Sequence, residues 1–284
     1  QLAGCPRKIL CTPCDKRGEI DPHIRYAAHL CGVETIFRIG GAQAIAAMGY
    51  GTESVPACDK LFGPGNAYVA TAKSMLAGVP GGPATDLPAG PSEVCVIADE
   101  STDAEYVAAD LLSQAEHDTL SQVMLIATSS AKSREIRTAV ERRLAELPRR
   151  EIAGEAIANS LSVIADDMKQ ALEIANAYAP EHLILCFDTA QDWLDHIRNA
   201  GSVFLGPYTP EAAGDYCSGT NHALPTYGSA RSYSGLSVEA FQKTITVQAI
   251  TQAGLEQLGP TIETLAELEG LDAHAQAVRV RAKK

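Results

Sequence analysis

The chain has 284 residues, of which 46% are hydrophobic and 20% charged, a balance that excludes intrinsic disorder and a disulfide-stapled miniprotein. Acidic residues outnumber basic ones 35 to 23, for a net charge of −12; such a surface repels a phosphate backbone, and no basic tract offsets it, so a nucleic-acid partner is not expected. No uninterrupted apolar stretch is long enough to cross a bilayer. At about 150 residues per domain the length predicts two domains. The opening Gln1-Leu2-Ala3-Gly4-Cys5 has no initiator Met, no charged n-region and no apolar signal core, and reads as the start of a piece of something longer.

In chain order, short β-branched runs predict strands at Lys8–Thr12, Thr35–Arg38, Lys60–Phe62, Glu93–Ala98, Gln122–Ala127, Ser162–Ala165, His182–Phe187 and Ser202–Leu205. Between them, helical periodicity predicts Pro22–Cys31, Ala42–Met48, Ala67–Ala77, Ala104–His117, Ala131–Leu147, Met168–Tyr178 and Gln191–Asn199. This alternation is α/β, with parallel sheets covered by helices. The segment Ala77–Pro91, with four prolines and four glycines, interrupts the period and is the expected crossover between two α/β units. Pro207–Gly235 reads as a long ordered loop of the kind that carries function. A strand-like Lys243–Ile250 follows, then helical Thr261–Leu268 and Ala273–Val280, with Arg279, Arg281, Lys283 and Lys284 suiting a helix C-terminus.

The eight cysteines are scattered. Cys95 and Cys186 lie in apolar runs, where a thiol behaves as a small buried hydrophobe, and the setting expected is reduced and cytoplasmic. Cys11-Thr12-Pro13-Cys14 spells CxxC, but a four-cysteine zinc site needs a second close pair, and there is none.

Four groups of residues invite a chemical reading. Gln114 and His117 end a helical stretch three residues apart, so they share a face and can converge on one metal ion; a polar helix end is the plainer alternative. Glu181-His182 immediately precedes an apolar strand, where acid and imidazole can supply two proton-transfer groups to one pocket, or simply form a solvated loop. Asp215 and His222 sit on a Gly-rich loop that lets backbone approach a ligand, and a carboxylate there can complete a metal site. Gly40-Gly41-Ala42-Gln43 and Gly63-Pro64-Gly65-Asn66 each join a strand to a helix and present N–H groups suited to phosphate, although neither is GxGxxG. Glu269 and His274 draw no attention alone, and His23, His29 and His196 read as structural or surface residues.

Taken in order, Gly40–Ala46, Phe62–Asn66, Pro88–Glu93, Asp110–His117, Pro180–Leu183 and Ala213–Pro225 resemble histidinol dehydrogenase along the whole chain, although that enzyme carries a further N-terminal portion. The resemblance implies oxidation of L-histidinol through L-histidinaldehyde to L-histidine, the last steps of histidine biosynthesis, with reduction of two NAD. It implies a zinc site of Gln114, His117, Asp215 and His274, the last donated across a homodimer interface. It places Ser92, His182 and Glu269 beside the zinc ligands as substrate contacts, and Gln43 and Asn66 on NAD. A further nucleotide-contacting Tyr of the family would fall before residue 1.

On this resemblance His182 is the general base for the alcohol and Glu181 activates water on the aldehyde; a thiohemiacetal on Cys186 or Cys217 is not required. The expected fold is two Rossmann-like parallel-sheet units without GxGxxG, plus a small helical extension. The expected divisions are residues 1–92 on the nucleotide side, 93–236 carrying the catalytic and zinc-site residues, and 237–284 swapped in a dimer. Two alternatives stay open at this point: a truncated inactive fragment that keeps the fold and metal binding, and a zinc hydrolase using Glu181 on water.

Overall fold

The structure is a computed structural model that describes residues 1–282. Lys283 and Lys284 of the expected basic helix end lie outside the described residues. The chain divides into two compact units, Gln1–Gln242 and Lys243–Lys284.

The first unit opens with β1 (Ile9–Cys11), α1 (Pro22–Leu30), β2 (Thr35–Phe37), α2 (Gly41–Tyr50), β3 (Lys60–Leu61), α3 (Ala67–Ala77) and β4 (Ala84–Thr85). Here the strands form two separate parallel ladders, β1 with β2 and β3 with β4, rather than one continuous sheet. Helices α2 and α3 pack around Ile45, Leu61 and Leu76. Their close approach depends on Gly49, where a Cβ would stand 2.4 Å from a Leu76 methyl.

Next come β5 (Glu93–Ala98), α4 (Ala104–Ala115), β6 (Gln122–Ala127), α5 (Ser130–Glu146), α6 (Arg150–Ala158), β7 (Leu161–Ile164), α7 (Met168–Tyr178), β8 (His182–Leu185), β9 (Ser202–Leu205) and α8 (Glu211–Tyr216). The five strands form one parallel sheet in the order β7-β6-β5-β8-β9. The chain builds outward from β5, then returns to its other side for β8, which is the doubly wound pattern. Strands β5 and β8 are buried along their whole length, as expected of central parallel strands covered on both faces. Alternation splits the core in two. Val94 and Val96 face Leu111, Ile136 and Phe204, whereas Cys95 and Ile97 face Met124, Leu172 and Phe187. Helix starts are capped by side chains: Asp103 accepts from the Glu105 N–H, Ser129 from Lys132 and Asp167 from Gln170.

Several expectations are corrected. The predicted helix Gln191–Asn199 is a 3₁₀ segment over Ala190–His196. Helices α6 and α8 lie where no helix was expected, α8 being only six residues inside the Gly-rich loop. Lys243–Ile250 is not a strand: it pairs with no ladder among the described residues and is exposed throughout, so its β-branched residues have no sheet to join. Residues Val238–Phe241, grouped above with the C-terminal extension, belong to the first unit, where Phe241 stacks on Phe62 and Lys60 donates to the Ala240 carbonyl.

The second unit is a helical hairpin of α9 (Gln252–Leu268) and α10 (Asp272–Ala282). Helix α9 begins at Gln252 rather than at the predicted Thr261 and contains Pro260. Ala266, Ala275 and Val278 are buried, Gly259 lies against Val278, and Arg279 pairs with Glu263 and Glu267.

Candidate active site at the amino edge of the sheet

Two central strands begin on ionisable residues. Glu93 opens β5, His182 opens β8, and Glu181 stands one residue before; all three are buried. The register pairs His182 with Val94, which brings the start of β8 beside Glu93. The Glu93 peptide organises both neighbours. Its N–H donates to Glu181 Oε2 at 2.8 Å, and its carbonyl lies 2.8 Å from His182 Nδ1. A carbonyl only accepts, so Nδ1 carries the proton and Nε2 keeps its lone pair. Nε2 is buried with no hydrogen-bond partner, on a ring only 4% exposed. Burial pushes the His182 pKa down, against the opposing effects of the Glu93 hydrogen bond and Asp215. The result is a neutral imidazole with a free basic nitrogen.

The carboxyls around it respond oppositely. Burial raises Glu181 to about 8, helped by the nearby charges of Glu93 and Asp215 and resisted by the Glu93 N–H. Burial likewise raises Glu211 to about 9 and Asp110 to about 6, and lifts Glu93. Glu211 is 1% exposed, with Oε1 3.9 Å from His182 Nδ1 and Oε2 unpartnered. So many acids in one buried place favour either protons or a cation.

Helix α8 delivers Asp215, whose Oδ1 lies 3.8 Å from His182 Nε2. The close seat of this helix depends on Gly214, where a Cβ would stand 2.7 Å from the Phe204 ring. Phe204 in turn packs against His182, with ring centroids 5.9 Å apart. Gly201 allows the start of β9 to pass Glu181: a Cβ there would lie 2.6 Å from the Glu181 carbonyl oxygen.

Helix α4 runs back from β5 and brings Gln114 near its C-terminal end, with His117 just beyond. Gln114 is 1% exposed, yet neither its Oε1 nor its Nε2 has a partner. A buried amide with both ends unsatisfied is costly unless a ligand completes it. His117 and His222 are close enough to press the His182 pKa down. Among the described residues no three His, Cys, Asp or Glu side chains form a ready cation cage. Gln114, His117 and Asp215 still fit a zinc ion by donor type, and the orphaned Gln114 oxygen is what such an ion would satisfy.

The other expected residues stand as follows. Ser92 directly precedes Glu93 and is half-buried. Gln43 is exposed in the first turn of α2, and Asn66 caps α3, accepting from the Tyr68 and Val69 N–H groups. No hydrogen bond or ion pair among the described residues links these two to the buried cluster. The turns before them suit a dinucleotide: α2 has no side-chain cap, Gly41 and Gly63 have φ of 74° and 131°, and a Cβ on Gly63 would meet only open space. Glu269 and His274 belong to the second unit, exposed at the end of α9 and the start of α10. Cys186 is buried and its thiol pushed up to about 12, which leaves no thiolate for a thiohemiacetal.

Glu93, Asp110 and Glu211 escaped the sequence reading as site residues. For Glu211 a signal existed: it lies four residues before Asp215, on the same face of α8.

The family model of histidinol dehydrogenase matches residues 1–282. The chain belongs to the histidinol dehydrogenase family. It is 55% identical over 281 residues to the histidinol dehydrogenase of Xanthomonas axonopodis pv. citri, covering 99% of this chain and 65% of that protein. To the histidinol dehydrogenase of Aliivibrio fischeri it is 52% identical, covering 100% of this chain and 64% of that protein. The crystal structure of histidinol dehydrogenase from Elizabethkingia anophelis superposes with a TM-score of 0.96 at 50% identity, over 99% of this chain and 65% of that one. The chain thus spans about two thirds of the length of the histidinol dehydrogenases it matches.

Proposed function

We propose that this chain carries the catalytic part of an L-histidinol dehydrogenase, which oxidises L-histidinol through L-histidinaldehyde to L-histidine. The observation that carries the reading is the state of His182. Its Nδ1 is tied to a backbone carbonyl and its Nε2 is bare and buried, 3.8 Å from Asp215 Oδ1, the arrangement of a general base awaiting substrate.

In the first half-reaction His182 Nε2 takes the hydroxyl proton of the substrate as hydride leaves the carbinol carbon. In the second, Glu181 takes a proton from the water that adds to the aldehyde. A carboxyl raised to about 8 is a far stronger base than an ordinary carboxylate. The hydrate then loses a second hydride and yields the carboxylate, so each L-histidinol consumes one water and gives up two hydrides. NAD, when bound, supplies the hydride acceptor at each stage, and Gln43 and Asn66 are its proposed contacts. Zinc, when bound, supplies a fixed anchor for the substrate's amine and imidazole; Gln114, His117, Asp215 and His274 are the residues proposed to hold it.

Ser92 and Glu269 are proposed to contact the substrate beside these ligands. We place His274 in trans, from the second copy of a homodimer. The second unit supports this: a two-helix hairpin is too small for a core of its own and exposes Leu258, Leu265, Leu268 and Leu271, while Ile245 and Val247 are exposed in the segment before it. No helix among the described residues is long and apolar enough to cross a membrane, and we propose a cytoplasmic site of action.

The test is spectroscopic. With zinc, NAD and L-histidinol the chain should form two NADH for every L-histidine. A hydrolase using Glu181 on water would form none, and its product without NADH would overturn the proposal.

A further inference from the structure

The turn from β3 into α3 is held by a device that none of the groups above explains. Gly63 has φ 131°, a conformation L side chains rarely adopt. Both polar groups of this residue are gripped: its N–H donates to Asp86 Oδ2 at 2.7 Å, and its carbonyl accepts from Lys73 Nζ at 3.0 Å. Lys73 and Asp86 are themselves an ion pair, with side chains 6% and 2% exposed, and Lys73 Nζ also donates to the Leu87 carbonyl at 3.3 Å. One buried pair therefore joins the second turn of α3, the exit of β4 and the strand-to-helix turn.

Stability does not account for such a pair. Desolvating two charges costs as much as their attraction returns, and apolar residues of similar volume commonly stabilise a fold equally well. What an ion pair adds is a directional grip. Here it acts on Gly63, three residues before Asn66, whose Oδ1 is committed to capping α3 and whose amide NH₂ is left to donate elsewhere.

We propose that Lys73 and Asp86 are positioning residues for the dinucleotide, holding the Gly63–Asn66 turn in the conformation that receives it. They touch neither cofactor nor substrate and act through the Gly63 peptide. The proposal rests on the reading of Asn66 as a cofactor contact.

The test separates positioning from stability. The double variant Lys73→Met/Asp86→Leu removes both charges and both tethers while keeping the volume apolar. On the zinc-loaded chain, NAD affinity is read by NADH fluorescence titration, beside KM for each substrate, zinc content and the urea midpoint. The double variant should keep its urea midpoint and zinc, and its KM for L-histidinol within about twofold. Its Kd and KM for NAD should rise about tenfold or more. Should the double variant fail to fold, Asp86→Asn, which keeps an oxygen for the Gly63 N–H, should bind NAD more tightly than Asp86→Ala. NAD affinity equal to the parent chain in the folded double variant, or equal in Asp86→Asn and Asp86→Ala, would overturn the positioning role alone. A parent chain that binds no NAD would overturn the cofactor assignment of this turn, and the positioning role with it.

Discussion

At the scale of single residues, the chemistry depends on which groups are left incomplete. His182 Nε2, Gln114 Oε1 and Nε2, Glu211 Oε2 and Glu93 Oε2 are five of the seven buried side-chain atoms without a hydrogen-bond partner among the described residues. Glu211 gives this a thermodynamic consequence. Its carboxyl is raised from 4.5 to about 9, so between those pH values the metal-free folded chain holds a proton that the unfolded chain has released. Stability is therefore full at the acid end and falls as pH rises through this window. Glu181, raised to about 8, adds to the same slope. The urea midpoint of the metal-free chain should be lower at pH 9 than at pH 5, and Glu211→Gln should reduce that difference. A midpoint that rises with pH, or a slope untouched by the substitution, would contradict the buried acid.

Elements decide where these residues meet. In most doubly wound sheets ligands gather at the carboxyl ends of the strands. Here Glu93 and His182 open β5 and β8 at the opposite edge, and the return of α4 brings Gln114 and His117 towards it. Helix α8 closes the arrangement only because Gly214 can lie against Phe204. Gly214→Ala should cost about 1–3 kcal/mol by overpacking and weaken zinc binding by displacing Asp215, read by denaturation and metal titration; unchanged zinc affinity would show that α8 has room to shift.

The sequence made much of this legible. Strands β5, β6 and β9 stand at the predicted bounds because they are short apolar runs between strong helical periods. Glu181 and His182 are visible because two charged residues sit directly against an apolar run. Glu93 is not, since its contribution comes from its peptide group, and α8 is not, since its six residues read as Gly-rich loop. Lys243–Ile250 misled for the converse reason: β-branched residues alone do not make a strand without a ladder to join.

At the scale of the whole molecule, the four proposed zinc ligands are divided between the two units, with His274 alone in the second. If His274 serves the other copy of a homodimer, complementation follows. Chains carrying His117→Ala and chains carrying His274→Ala should each lose zinc and activity. Mixed and refolded together, they should recover both, because one site of each heterodimer is then intact. No recovery would mean that His274 serves its own chain or none. Spanning about two thirds of its relatives' length, the chain still includes the residues proposed for both half-reactions.

The central claim is that adjacent residues divide the work, His182 serving the oxidation of the alcohol and Glu181 the hydration of the aldehyde. The direct measurement is NADH formed per L-histidinol in a single turnover of Glu181→Gln at full zinc occupancy. The account predicts a first NADH at close to the parent rate, a greatly slowed second, and accumulation of L-histidinaldehyde. Equal slowing of both NADH steps, or loss of zinc in this variant, would contradict it.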